Sequence, residues 1–280
     1  MRKIKRALEL NINYFLWRRT PTLVYSMERS GSVALLSSLK AHGVFVIGAH
    51  YLDPKKLATG RRSGSARWAS KHIISRRKPA KVISLVRHPI ENMLSTFART
   101  DYGEQKVQQE GAASQVEQVS PDQLSGEFCR AYLDADRHLR PLGWFGNEFQ
   151  AALGINVYEH SFDKQNGFAR FLEEPYDVLI MRTELPDAQK AELLAGFVGI
   201  PVLEMTSASA VSDNRRRLPP GKPGDQTDYA AKYRALKQGV VIPQAHLDAI
   251  VDSRYVQHFF TQEERDAMRA RYRGAVAQEL

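Results

Sequence analysis

With one cysteine, Cys129, in 280 residues, the chain can form no internal disulfide and suits a reducing compartment. Cys129 stands in no catalytic or metal-binding pattern and reads as structural. No apolar run approaches the roughly 20 residues that span a bilayer, and the N-terminus lacks a secretory cleavage pattern, so a cytoplasmic address is expected. Gly-x-x-x-x-Gly-Lys-[Ser/Thr] is missing, which argues against an ATPase or an ordinary kinase, and so is the three-glycine dinucleotide fingerprint. There is no His-Glu-x-x-His, no cysteine pair and no acidic cluster, so no metal is expected.

What the chain does have is a real core and a basic surface. Hydrophobic residues make up 43% and charged residues 25%, and 40 Lys and Arg against 31 Asp and Glu leave a net charge of +9. Such a balance suits anionic partners without choosing among nucleotides, nucleic acids, acidic glycans and membrane surfaces. Basic runs such as Arg61-Arg62, Arg76-Arg77-Lys78 and Arg215-Arg216-Arg217 read, one by one, as solvated faces. Residues 1–20 form a basic helix or extension, packed on the domain surface or touching a membrane peripherally.

Strand-like and helix-like segments alternate. Residues 22–27 read as a strand, 33–40 as a helix, 44–47 as a strand ending at Gly48, and 81–86 as a third strand. Pro89 then opens a helix. Residues 176–181 are a fourth core strand, 186–198 a helix, and the middle and the C-terminal half read as largely helical. Two capping boxes, at Ser120 to Gln123 and Thr261 to Glu264, mark helix starts. The pattern predicts a single domain over 1–280, a three-layer α/β/α fold around a central parallel sheet.

Two segments carry chemistry. Between the first strand and helix lie Glu28-Arg29-Ser30-Gly31-Ser32. An anion there would meet free N–H groups and the positive end of a helix dipole, with Gly31 permitting close approach. An ordinary strand-to-helix turn with a serine cap would look the same. The strand 81–86 runs into Arg87-His88-Pro89, with Ser95 two helical turns on. Arg87 and Ser95 could grip one phosphate, although a strand-end arginine often simply pairs with an acid.

Taken together, "YSMERSGSVALLSSL" and "KVISLVRHPIENMLSTF" resemble the sulfotransferases that use 3′-phosphoadenosine 5′-phosphosulfate (PAPS). "GAHYL", "WFGNEFQAALGINVY", "DVLIMRTE" and "YVQHFFTQEE" resemble bacterial capsular polysaccharide synthesis proteins, a sulfotransferase-like branch. The resemblance implies a P-loop-type core. It implies that Arg29, Ser30, Gly31, Ser32 and Val33 hold the 5′-phosphosulfate, and that Arg87 and Ser95 hold the 3′-phosphate. A late basic loop containing Arg215 would close on the donor, although an exposed loop contacting an acidic acceptor would explain its residues as well. The chain departs from the family at His88, which replaces an acid, at Val33, where a hydroxyl residue is common, and at Arg29, in place of a loop lysine. The implied activity is transfer of a sulfuryl group from PAPS to a hydroxyl acceptor such as a carbohydrate, with no metal and no nucleic-acid partner. His50 and Glu184, each just past a core strand, are rival general bases, and Arg29 is the candidate for stabilising charge on the transferred group. The alternative is a catalytically altered protein of the same fold that binds an anionic glycan or nucleic acid.

Overall fold

The computed structural model describes residues 2–58, 64–109, 121–206 and 225–273. The chain divides into two compact units, each built from two stretches of sequence: Met1–Arg87 with Trp144–Leu218, and His88–Gly143 with Pro219–Leu280.

The first unit holds a five-stranded sheet. Its strands are β1 (Thr22–Tyr25), β2 (Val46–Ala49), β3 (Ala80–Val86), β4 (Phe168–Glu173) and β5 (Tyr176–Arg182), in the spatial order β2-β1-β3-β5-β4. β1, β2, β3 and β5 run parallel, while β4 pairs antiparallel with β5 at the edge. The expectation of an α/β fold around a central parallel sheet therefore holds for four of the five strands, and the edge strand β4 departs from it. β1 is buried along its whole length, and β3 and β5 at all but one position each, as strands covered on both faces must be. On one face Val24, Ile83, Leu85, Leu179 and Met181 pack with Leu35 and Leu39 of the helix Ser32–Ala41 and with Leu194 and Phe197 of the helix Asp187–Val198. On the other face Tyr25 stacks on Phe149 at 5.5 Å and meets Trp144 edge-on at 5.0 Å.

β2 starts and ends two residues later than the apolar run 44–47 suggests. Val44 N–H is taken by Leu39 O at the end of the preceding helix, which leaves Gly48 and Ala49 to pair with Val24 and Tyr25. Gly48 thus lies inside the strand, where a Cβ would stand 2.4 Å from Leu36 Cδ1.

The second unit is helical in its described residues. The helix Pro89–Gln109 joins Asp225–Gly239 through Ser95, whose Oγ lies 2.9 Å from Tyr229 Oη. Phe97, Phe128 and Tyr132 form an aromatic cluster, and the thiol of Cys129 donates to Val241 O at 3.5 Å. Burial, followed by the charge of Asp134, pushes that thiol's pKa up, in keeping with its structural reading. The capping box at Thr261 is present: Glu264 N–H donates to Thr261 Oγ1 at 3.2 Å, and Thr261 N–H to Glu264 Oε2 at 2.8 Å.

Candidate anion site at the carboxyl edge of the sheet

The chain leaves β1 toward β2 on one side, and the connection after β3 returns to the other side. In open α/β sheets such a reversal opens a crevice at the carboxyl ends of the two strands, here β1 and β3. The loop 26–31 follows β1 and Arg87 follows β3, so the loop and Arg87 both stand at this edge.

The loop is held by side-chain hydrogen bonds on four of its carbonyls, that of Ser26 among them. Ser30 Oγ donates to Met27 O at 2.8 Å and lies 2.9 Å from Ser26 Oγ. Arg87 Nη1 donates to Arg29 O, across the gap between β1 and β3. Thr183 Oγ1 donates to Ser30 O at 2.8 Å, while its own N–H is tied to Val86 O at 2.7 Å. The backbone of Arg29 is left-handed at φ 64°, and so is Gly31 at 84°. A non-glycine residue in that region costs about 1–2 kcal/mol and persists where its surroundings over-determine it. Left-handed residues in such a turn can gather neighbouring N–H groups into a concavity that suits an anion. Gly31 leads directly into the helix Ser32–Ala41, whose first N–H groups have no intrahelical acceptor.

The predicted cradle residues differ in what they expose. Ser30 is fully buried, and its hydroxyl serves the loop itself. Ser32 is buried at the helix start, Val33 is half-buried, and Gly31 is open to solvent. Arg29 and Arg87 are half-buried. Ser95 belongs to the second unit, where it is buried against Tyr229. Arg215 lies outside the described residues.

His50 follows β2 at the same edge of the sheet. Its Nδ1 lies 2.8 Å from Ser26 O. A carbonyl can only accept, so Nδ1 carries the proton of the neutral ring and Nε2 keeps its lone pair. Glu184 is exposed, one residue beyond Thr183. His88 caps the next helix: Glu91 N–H donates to its Nδ1 at 3.4 Å, the service an acid would give at that position.

Three residues at this edge escaped the sequence reading. Glu148 is almost completely buried, and its Oε1 accepts from Tyr25 Oη at 2.7 Å, Leu52 N–H at 2.8 Å and Asp53 N–H at 3.0 Å. Lys56 Nζ stands 3.0 Å from its Oε2. With Trp144 Nε1, which donates to His50 O at 3.2 Å, Glu148 fixes the segment that carries His50. The other two are Thr183 and Lys190. They line a cleft of about 170 Å³ with Gly31, Leu35, Leu85 and Thr206. Lys190 Nζ reaches Thr183 O at 3.2 Å and Asp187 Oδ1 at 2.7 Å. The cleft falls short of the roughly 300–1,000 Å³ of a typical small-molecule pocket, and is closer to the size of one anionic group than of a nucleotide. Glu148 lies in an apolar helical run and Lys190 in an ordinary amphipathic helix, so neither carried a local signal.

Among the described residues, no three His, Cys, Asp or Glu side chains converge as a metal cage, and no helix is long and apolar enough to cross a membrane. Residues 137–261 match the family described as "Putative capsular polysaccharide synthesis protein". The matched stretch includes Trp144, Glu148, β5, Thr183 and Lys190. No curated protein and no solved structure matches the chain.

Proposed function

We propose that the crevice between β1 and β3 takes the phosphosulfate end of PAPS, and that the chain transfers its sulfuryl group to a carbohydrate hydroxyl. The observation that carries this reading is the Arg87 bridge to the carbonyl of left-handed Arg29, at the reversal of the sheet and the start of a helix. That is a geometry suited to an anion, and it unites the two sequence segments that resemble the sulfotransferase donor motifs. The likeness of residues 137–261 to capsular polysaccharide synthesis proteins supports a carbohydrate acceptor.

In this reading the acceptor oxygen forms a bond to sulfur as the bond from sulfur to the bridging phosphate oxygen breaks. Adenosine 3′,5′-bisphosphate leaves, and the acceptor proton passes to His50 Nε2. The loop N–H groups and Arg29 stabilise negative charge on the transferred group. Arg87 both braces the loop and contributes positive charge at the crevice. Glu148 and Trp144 are positioning residues for His50.

Calorimetry with adenosine 3′,5′-bisphosphate tests the reading. Saturable one-to-one binding is expected, weakened at least tenfold in a folded Arg87→Lys variant, which keeps the charge but loses the fork. Folded wild-type protein that takes up no nucleotide would sink the proposal. One observation favours a second reading, in which an altered loop binds an anionic glycan without turnover: the Ser30 hydroxyl is committed inside the loop. Nucleotide binding without transfer of labelled sulfate to any acceptor polysaccharide would favour it.

A further inference from the structure

We propose that the exposed apolar face of the N-terminal helical segment docks on an anionic lipid bilayer. The segment comprises the helix Arg2–Asn11 and the turn Ile12–Leu16 that continues it. One side anchors it to the first unit. Leu10 and Asn13 are buried, Trp68 Nε1 donates to Asn11 Oδ1 at 2.8 Å, and Tyr14 meets Trp68 edge-on at 5.3 Å. Asn13 is itself clamped, donating to Glu9 O at 2.9 Å and accepting from Arg19 Nη1 at 3.0 Å.

Ile4, Leu8, Phe15, Leu16 and Trp17 nevertheless show to solvent, each between 51% and 75% exposed, Phe15 while its ring still meets Trp68 edge-on at 6.3 Å. Nine large apolar side chains are exposed among the described residues, and these five fall within fourteen positions. A held helix that shows this much apolar surface to solvent calls for a partner.

Charge selects the partner. Residues 1–90 carry 19 Lys and Arg against three Asp and Glu, whereas the remaining 190 carry 21 against 28. The basic excess of the whole chain therefore belongs to the part that bears the apolar face. Of the three acids, Glu9 is already paired with Arg6 at 2.6 Å. Lys71 and Arg76 crowd His72, whose ring lies 5.5 Å from Phe15. Apolar side chains with an interfacial tryptophan inside a field of cations match the headgroup and acyl boundary of an acidic membrane. Ile4, Leu8 and Leu16 offer a nucleic acid no stacking face, and a second copy docked on this face would bring two like-charged surfaces together.

Co-sedimentation of the full chain with vesicles of phosphatidylcholine alone, and with 30% phosphatidylglycerol, tests this. Binding is expected only to the anionic vesicles, declining with salt, with a blue shift of Trp17 emission, since Trp68 and Trp144 are already buried. Leu8→Gln/Leu16→Gln/Trp17→Gln should bind at least tenfold more weakly. Lys5→Gln/Lys71→Gln should bind more weakly and with a shallower salt dependence. The single Leu16→Gln decides the matter if the triple variant misfolds. Equal binding to neutral vesicles, no binding, unchanged binding by these variants, a dimer that dissolves in the triple variant, or RNA binding that replaces vesicle binding would each overturn the proposal.

Discussion

Glu148→Ala removes a carboxylate on which four groups converge, and its cost can be worked out group by group. Tyr25 Oη keeps a partner, because it also lies 3.1 Å from the backbone carbonyl of residue 148. Lys56, whose side chain is 39% exposed, turns to water at little cost. The Leu52 N–H also faces the Tyr25 hydroxyl, whereas Asp53 is buried and its N–H has Oε1 as its acceptor. The orphaned Asp53 donor costs about 1–3 kcal/mol, reduced where water enters the gap. Glu148→Gln keeps an acceptor at Oε1 and gives up the attraction of Lys56, for about 1 kcal/mol. Urea unfolding provides the global number, although a chain of two units need not unfold in one step. Hydrogen exchange of the peptide spanning residues 50–56 therefore serves as the local readout, with protection lost in the alanine variant and largely kept in the glutamine variant. An alanine variant within about 0.5 kcal/mol of wild type, with unchanged exchange, would refute the view that Glu148 holds the His50 segment.

Three further predictions concern the cradle, the base and the helical unit. Gly31→Ala forces a Cβ into left-handed backbone 3.1 Å from Thr183 Cγ2, so it should destabilise by about 1–2 kcal/mol and weaken bisphosphate binding in the same titration. His50→Gln should lower kcat at least about 100-fold with nucleotide affinity kept within a few-fold, while Glu184→Gln leaves kcat within a few-fold; the reverse pattern would transfer the base role to Glu184. Burial pushes the Tyr272 phenol up to about 12 from its ordinary 10.0, and its hydroxyl finds no hydrogen-bond partner among the described residues. The unfolded chain thus sheds this proton from pH 10 while the folded chain keeps it. The stabilisation is complete below pH 10 and is lost by about pH 12, up to about 2–3 kcal/mol. Tyr272→Phe should be neutral or slightly stabilising at pH 7 and should flatten this alkaline decline in urea titrations.

Much of the first unit was legible because a strand buried on both faces must be a continuous apolar run, and β1, β3 and β5 are written that way. β4 was not. Phe168-Ala-Arg-Phe-Leu-Glu is rich in helix formers, and only pairing with β5 at the sheet edge makes it a strand. Gly48 read as the end of a strand because a glycine's usual meaning is punctuation, whereas here it makes room for Leu36. The two units left no mark in the sequence, since each is assembled from separated stretches and no linker divides them.

The sequence by itself determined the order of the core strands along the chain, the glycine turn that opens the helix Ser32–Ala41, and the basic character of the N-terminal third. These are local properties of composition and period, readable without knowing what packs on what. The tertiary structure decided that Arg87 reaches the carbonyl of Arg29, that Ser30 turns its hydroxyl inward, that Glu148 governs the segment bearing His50, and that one face of the N-terminal helix is left uncovered. Each of these joins residues far apart in the chain, or depends on what covers a surface. Hydrogen bonds and burial of that kind arise only once the sheet has brought its carboxyl edge together.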